Sequence, residues 1–253
     1  DEDLQIMNRS HTAEQALNCI WAAQDLELDN LTIDLIYGMP NQKLNEWEEQ
    51  LNQALDLEVP HISSYALTVE PKTVLENDIR KGKIKLPSEA LVEQQFGVLQ
   101  EVLMYEGFEQ YEISNFSKIG FRAKHNSSYW SGQSYLGIGP SAHSFNGVSR
   151  QWNVSNNPLY LKSIAEGKVP AELEKLTSKD VFNEYVMTAL RRVEGIDLNE
   201  VETKFGDNYY DYIFKEGIGE IEKGRLLLEG SQLYIPPKFR FFSDGIASSL
   251  FYI

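Results

Sequence analysis

The densest group of polar and aromatic residues in the sequence is the segment 124–130, Lys-His-Asn-Ser-Ser-Tyr-Trp. In this segment, Tyr129 follows His125 by four positions and Trp130 follows it by five. Neutral imidazole is a common metal ligand, and aromatic rings can cover the face of a flat ligand. The segment therefore favours a site for a metal or a flat aromatic ligand. The alternative is an ordered loop packed by its own aromatic side chains.

A carboxylate, Asp34, interrupts the otherwise apolar strand predicted over residues 31–37. In parallel α/β sheets, ligands bind beyond the carboxyl ends of the strands, and this strand ends at Gly38 and Pro40. Asp34 is thus expected to accept hydrogen bonds from hydroxyl groups or an amine. The alternative is a structural aspartate bonded to the backbone of a loop.

A glycine-rich segment ends at His143 and contains Gly137, Gly139 and Ala142 in the dinucleotide-binding pattern G-x-G-x-x-A. Pro140 breaks the helix that this motif must open, and no acidic residue follows about 20 positions later, so we reject that reading. The two glycines instead predict a close approach of the backbone to a ligand.

Composition excludes several classes of partner. The 253 residues carry a formal net charge of -15, which opposes binding to nucleic acid or anionic lipid. No apolar run is long enough for a transmembrane helix, and the acidic start lacks the apolar region of a signal peptide. The single cysteine, Cys19, predicts a reducing, cytoplasmic location, with no internal disulfide and no thiolate cluster built by this chain alone.

Helical and strand patterns alternate along residues 1–165. The predicted helices carry apolar stripes at Ala13, Ala16, Leu17 and Ile20, at Leu44, Trp47, Leu51 and Leu55, and, after a Ser88 cap, at Val92, Phe96, Leu99 and Leu103. The predicted strands are 31–37, 62–69, 111–113 and 135–138. Such alternation predicts a parallel sheet with crossover helices, and four strands are too few for a closed eight-stranded barrel. The expected fold class is therefore α/β, with a partial parallel (β/α) barrel-like sheet over 1–168.

The remainder, 173–253, predicts a small winged-helix-like α+β domain. A long helix with Phe182, Val186, Ala189 and Val193 on one side is followed by helices over 197–205 and 208–223, a hairpin of 226–228 with 233–235, and a closing helix over 238–251. Winged helices often bind DNA, but this region holds 10 basic and 14 acidic residues, a net -4. We therefore expect a role as a protein-binding or lid domain, without DNA binding.

Four segments occur together in a recognisable order: 32–40 (TIDLIYGMP), 110–116 (QYEISNF), 125–130 (HNSSYW) and 135–144 (YLGIGPSAHS). They resemble the oxygen-independent coproporphyrinogen III oxidases of the radical S-adenosylmethionine (SAM) class. The HNxxYW pattern is similar to the heme-chaperone branch of that family. The resemblance covers nearly the whole chain and is strongest over 9–145.

The resemblance implies positions that contact SAM. Arg9 and Asp34 fall where the family places an arginine and an aspartate against SAM, and Ala66 and His143 fall near further contact positions. The chemistry agrees for the first pair, because an arginine can hold the carboxylate of SAM in a two-point fork and an aspartate can accept from ribose hydroxyls. For heme, the resemblance implies His125 as an axial ligand with Tyr129 and Trp130 beside the ring.

The sequence departs from the family in one large respect. The family's three-cysteine motif for a [4Fe–4S] cluster is expected to lie before residue 1, and one thiol at Cys19 cannot assemble that cluster. The chain, which opens on Asp1, is thus expected to be the back part of a longer protein and inactive by itself, with catalytic residues unassigned.

Three functions follow from these patterns. The first is heme binding and delivery to a heme-acceptor protein. The second is oxidative decarboxylation of the propionates of coproporphyrinogen III, and the third is a non-catalytic interaction module. The HNSSYW segment favours the first.

Overall fold

The computed structural model describes residues 1–253, and the chain folds into two compact units, Asp1–Arg122 and Ala123–Ile253. The elements of the first unit are α1 (Glu2–Ile6), α2 (Ala13–Asp25), β1 (Thr32–Tyr37), α3 (Leu44–Leu55), β2 (His61–Ala66), α4 (Val74–Arg80), α5 (Glu89–Tyr105), β3 (Glu109–Glu112) and β4 (Asn115–Ser117). Helices and strands alternate as expected, which confirms the α/β class of this part of the chain.

A four-stranded sheet in the order β1-β2-β4-β3 runs through the first unit. β1 and β2 are parallel, with Asp34 opposite Ser63. β4 is antiparallel to both of its neighbours. The two-residue turn at Ile113 and Ser114 forces the antiparallel pairing of β3 with β4, because so short a connection can only reverse the chain. Parallel pairing is thus confirmed for β1 and β2, whereas β4, which runs opposite to the other three strands, corrects the expectation of an all-parallel sheet.

The core of the first unit is built from two of the three predicted helical stripes, whereas the stripe predicted on α2 at Ala13, Ala16, Leu17 and Ile20 contributes no buried residue. Trp47 and Leu51 of α3 and Phe96, Leu99 and Leu103 of α5 are buried. The Oγ of Ser88 accepts a hydrogen bond from the Leu91 amide at 3.3 Å, so the predicted cap of α5 is confirmed.

A buried histidine makes the stability of this unit sensitive to pH. The ring of His61 lies with Nδ1 2.7 Å from the Thr32 hydroxyl and Nε2 2.7 Å from the Tyr111 hydroxyl. Burial lowers the pKa of His61 below its ordinary value, and the charge of Asp34 partly opposes this. The neutral ring is therefore favoured in the folded protein.

We expect the free energy of unfolding to fall as the pH falls from about 7.5 to about 5.5, because the unfolded histidine takes up a proton near pH 6.5 before the folded one does. Urea denaturation at several pH values measures this dependence. His61→Gln should weaken it, and an unchanged pH dependence in a folded His61→Gln variant would contradict the assignment.

The second unit begins with a helix and an antiparallel sheet. Its elements are α6 (Lys124–Trp130), β5 (His143–Phe145), β6 (Ser149–Asn153), α7 (Asn157–Ala165), β7 (Ala171–Lys175), α8 (Ser178–Arg191), β8 (Ile196–Asp197), α9 (Leu198–Phe205), α10 (Asp207–Glu222), β9 (Leu227–Glu229), β10 (Gln232–Tyr234), a 3-10 helix (Pro237–Phe242) and α11 (Ser243–Ser249). The sheet β5-β6-β7 was not expected. Conversely, the strand predicted over 135–138 is reduced to one bridge between Tyr135 and Phe145.

The part from α8 to α11 matches the winged-helix-like outline. Helices α8, α9 and α10 surround a common apolar core with the sheet β8-β10-β9, and α11 closes it. Of the predicted α8 stripe, Phe182, Val186 and Ala189 are buried. The domain boundary between 168 and 173 stays a prediction, and β7 lies across it. No helix is long and apolar enough to cross a lipid bilayer.

Candidate functional site

Of the three residues predicted to contact SAM in the first unit, Arg9 and Asp34 are solvent-exposed, whereas Ala66 at the end of β2 is partly buried. Arg9 follows α1, and Asp34 lies in the middle of β1 rather than at its carboxyl end. Asp34 is therefore free to accept bonds from a ligand instead of being sealed in the core. The pairing of Arg9 with Asp34 around one ligand stays a prediction.

The carboxyl ends of β1 and β2 are held by a buried glutamine. Tyr37 and Ala66 are register partners there, and the Leu67 amide donates to the Tyr37 carbonyl at 2.8 Å. The side chain of Gln95 accepts from the Gly38 amide at 3.0 Å and donates to Gln42 at 3.0 Å. This network fixes the loop after β1. Sequence reasoning missed Gln95, although a glutamine beside the buried Phe96 was an available signal.

The segment 124–130 folds as helix α6, as its predicted heme-binding role requires. His125 and Tyr129 lie one turn apart on the exposed side, with ring centroids 5.0 Å apart in an edge-to-face arrangement. Tyr129 in turn contacts Tyr135 edge-to-face at 4.8 Å. The helix thus orients an accessible imidazole next to a row of aromatic rings.

A cavity of about 700 Å³ lies beside this row within the second unit. The rings of Tyr129, Trp130, Tyr135 and Phe145 line it, and Tyr185 of α8 contributes a further ring. This volume is in the range of protein cavities that enclose small-molecule ligands. Of the three predicted heme residues, Tyr129 and Trp130 line the cavity, and His125 lies one helical turn away from it.

Charged side chains complete the lining. Arg150 of β6 forms an ion pair with Glu184 of α8 at 2.9 Å, and Glu200 of α9 accepts from the Tyr185 hydroxyl at 3.1 Å. Burial raises the pKa of the Glu184 carboxyl, and the Arg150 guanidinium partly opposes this rise. The cavity therefore combines aromatic walls with fixed charges.

The glycine-rich segment approaches its own chain instead of a ligand. Gly137 lies against the backbone of His143, and its amide donates to the Ser144 hydroxyl at 3.0 Å. Gly139 donates its amide to the Tyr160 hydroxyl at 3.1 Å and has open space around its α-carbon. The backbone at Gly137 is therefore closely approached, as expected, but by strand β5 and not by a ligand.

His143 itself is exposed on β5 and lines a separate cavity of about 380 Å³. Its ring centroid lies 6.5 Å from that of Trp152, and Asn153 and Glu172 line the same cavity. This setting suits hydrogen bonding to a polar ligand. The assignment of His143 to SAM stays a prediction.

The residues of this chain do not fit a [4Fe–4S] cluster. Cys19 is a single exposed thiol on α2, and no group of three or more histidine, cysteine, aspartate or glutamate side chains could hold a metal ion. Clusters of this kind need several thiolate ligands. No chemical step through such a cluster can therefore be derived from these residues.

Comparison with known proteins gave consistent relatives, although no family model matches the sequence. The chain is 32% identical over 237 residues to "Heme chaperone HemW" of Bacillus subtilis, which covers 93% of this chain and 62% of that protein. It is 31% identical to "Heme chaperone HemW" of Lactococcus lactis, over 90% of this chain and 60% of that protein. The chain thus spans about three fifths of the length of these curated relatives.

More distant matches agree. "Radical S-adenosyl methionine domain-containing protein 1, mitochondrial" of Danio rerio is 28% identical over 90% of this chain and 54% of its own length. Among solved structures, the coproporphyrinogen III oxidase HemN of Escherichia coli, described as a radical SAM enzyme, superposes with a TM-score of 0.80. That match covers 99% of this chain and 61% of the other at 19% identity, and it shows a common fold.

Proposed function

We propose that this chain, which belongs to the coproporphyrinogen III oxidase-like radical SAM family and to its heme-chaperone branch, binds heme and passes it to an acceptor protein. The relatives from Bacillus subtilis and Lactococcus lactis, at 32% and 31% identity over at least 90% of this chain, are named heme chaperones. The coproporphyrinogen oxidase is similar at 19% identity, which speaks for the fold and not for its reaction. Heme handling is therefore preferred over propionate decarboxylation.

The observation that carries this proposal is helix α6 beside the aromatic cavity. The exposed imidazole of His125 makes an edge-to-face contact with Tyr129, which lines the cavity. A neutral imidazole nitrogen is a normal axial ligand of heme iron, and aromatic rings pack well on a porphyrin. His125 would ligate the iron, and Tyr129 and Trp130 would contact the ring.

SAM and a [4Fe–4S] cluster are cofactors of the parent family. In this chain Arg9, Asp34, Ala66 and His143 are the proposed contacts to SAM, which supplies radical chemistry when a reduced cluster cleaves it. Support comes from the exposure of Arg9 and Asp34, which leaves both side chains open to a ligand. Heme binding by α6 needs none of these four residues.

Heme titration of the 253-residue chain tests the proposal. We expect the wild-type chain to give a shifted Soret band and His125→Ala to lose that shift, with heme affinity falling about tenfold or more, or about 1.4 kcal/mol. His11→Ala is the matched control, because His11 is also exposed but has no aromatic partner.

Two results would contradict the proposal. Absence of heme binding by the folded wild-type chain would exclude heme handling by these residues. An unchanged Soret band and affinity in a folded His125→Ala variant would mean that His125 only stabilises its own segment, as the loop alternative holds.

A further inference from the structure

We infer that the cavity beside α6 takes the carboxylate edge of a tetrapyrrole, with Arg192 and Lys204 as the residues that bind its two propionates. This inference rests on the proposed heme binding and deepens it. It assigns a recognition role to helices α8 and α9, which the family resemblance leaves without one.

The charge balance of the cavity is the first argument. Its lining contains three cations, Arg150, Arg192 and Lys204, against two carboxylates, Glu184 and Glu200. The chain as a whole carries -15, so a net positive lining runs against the rest of the surface. Such a local excess attracts an anionic ligand.

Of the three cations in the lining, one forms an ion pair with a carboxylate of the protein and two do not. The Nη2 of Arg150 forms an ion pair with Glu184 at 2.9 Å, and Glu200 accepts from the Tyr185 hydroxyl. Arg192 and Lys204 form no ion pair, and Lys204 lies only over aromatic rings, 5.5 Å from the centroid of Tyr185. Two cations are thus left to bind two carboxylates.

Unpaired buried polar atoms are the second, independent argument. Three side-chain nitrogens that line this one cavity are buried without a hydrogen-bond partner, namely Trp130 Nε1, Arg150 Nε and Arg192 Nε. Leaving a buried donor unsatisfied costs about 1–3 kcal/mol, so such atoms are rare unless a ligand satisfies them. All three are donors, and a carboxylate offers only acceptors.

The arrangement of apolar and basic groups matches the ligand. Heme is apolar over most of its ring and carries both carboxylates on one edge. The aromatic rings of Tyr129, Tyr135 and Phe145 line one part of the cavity, whereas Arg192 and Lys204 come from the C-terminal end of α8 and from α9. An arginine can bind a carboxylate through two parallel hydrogen bonds, which fixes the ring in one orientation.

Titration with hemin and with hemin dimethyl ester, which lacks the carboxylates, tests this inference in the 253-residue chain. We expect the wild type to bind hemin at least about tenfold more tightly than the ester. Arg192→Gln should weaken hemin binding by about tenfold and leave ester binding unchanged. Lys204→Gln, at an exposed position, should likewise weaken hemin binding. Arg80→Gln, at an exposed arginine of α4, is the control and should change neither affinity.

The possible outcomes separate the two proposals. Equal affinities of the wild type for hemin and for the ester would overturn the propionate assignment while heme binding itself stands. A loss of affinity for both ligands in folded Arg192→Gln and Lys204→Gln variants would also overturn it, since a general disturbance of the cavity would then explain the loss. Failure of the wild type to bind either ligand would refute the proposed function itself.

Discussion

Replacing Gly137 by alanine should lower the free energy of unfolding of the second unit by more than about 3 kcal/mol and weaken heme binding. A β-carbon at this position would overlap the carbonyl oxygen of His143 and lie 2.7 Å from its carbonyl carbon. These are backbone atoms of β5, so the strand itself would have to move. The bridge from Tyr135 to Phe145, two aromatic residues of the cavity, lies next to this contact.

Urea denaturation and hemin titration of Gly137→Ala measure the two effects. The matched control is Gly219→Ala in α10, where a β-carbon would meet nothing within 4 Å. Because alanine favours helix more than glycine does, this control should raise stability by up to about 1 kcal/mol. Wild-type stability in Gly137→Ala would show that β5 moves away at little cost, contrary to the packing argument.

Replacing Trp47 by alanine should cost the first unit about 3–5 kcal/mol. The indole is fully buried, its N–H donates to the Gln95 carbonyl at 2.9 Å, and its ring centroid lies 5.7 Å from that of Tyr37. Removing it leaves a cavity beneath the loop that follows β1. The hydrogen bond from the indole to the Gln95 carbonyl would also be lost.

The sequence provides a matched control in Trp21, which is 48% exposed on α2. Trp21→Ala removes the same side chain and should change stability by less than about 1 kcal/mol, because about half of the surface of Trp21 already contacts water. Thermal or urea unfolding compares the two variants. Equal losses would mean that burial does not set the contribution of these tryptophans.

Local patterns predicted the helices well for a physical reason. The stripes of α3, α5 and α8 repeat every three to four residues, and each stripe could be matched to one buried face. The Ser88 cap and the strand β1 likewise depend on neighbours in sequence. The same holds for α6, whose helical turn brings His125 to Tyr129.

Strand pairing in the middle of the chain was not predictable in this way. β6 is a polar strand, Ser-Arg-Gln-Trp-Asn, whose first and last residues are buried and which pairs with β5 on one side and β7 on the other. No alternation of apolar residues marks it. Backbone pairing with β5 just before it and with β7 beyond α7 stabilises this strand, and the pairing with β7 is set by the fold.

By itself, the sequence determined the α/β class, the apolar faces of the main helices, the acidic surface and the aromatic histidine segment that led to the family. These properties depend on composition or on residues a few positions apart. Only the tertiary structure decided that the backbone of β5 occupies the space where a side chain at Gly137 would lie. It alone also decided that Trp130, Arg192 and Lys204 line one cavity. The physical reason is distance along the chain: these residues are up to 74 positions apart, and their approach depends on how α6, α8 and α9 pack.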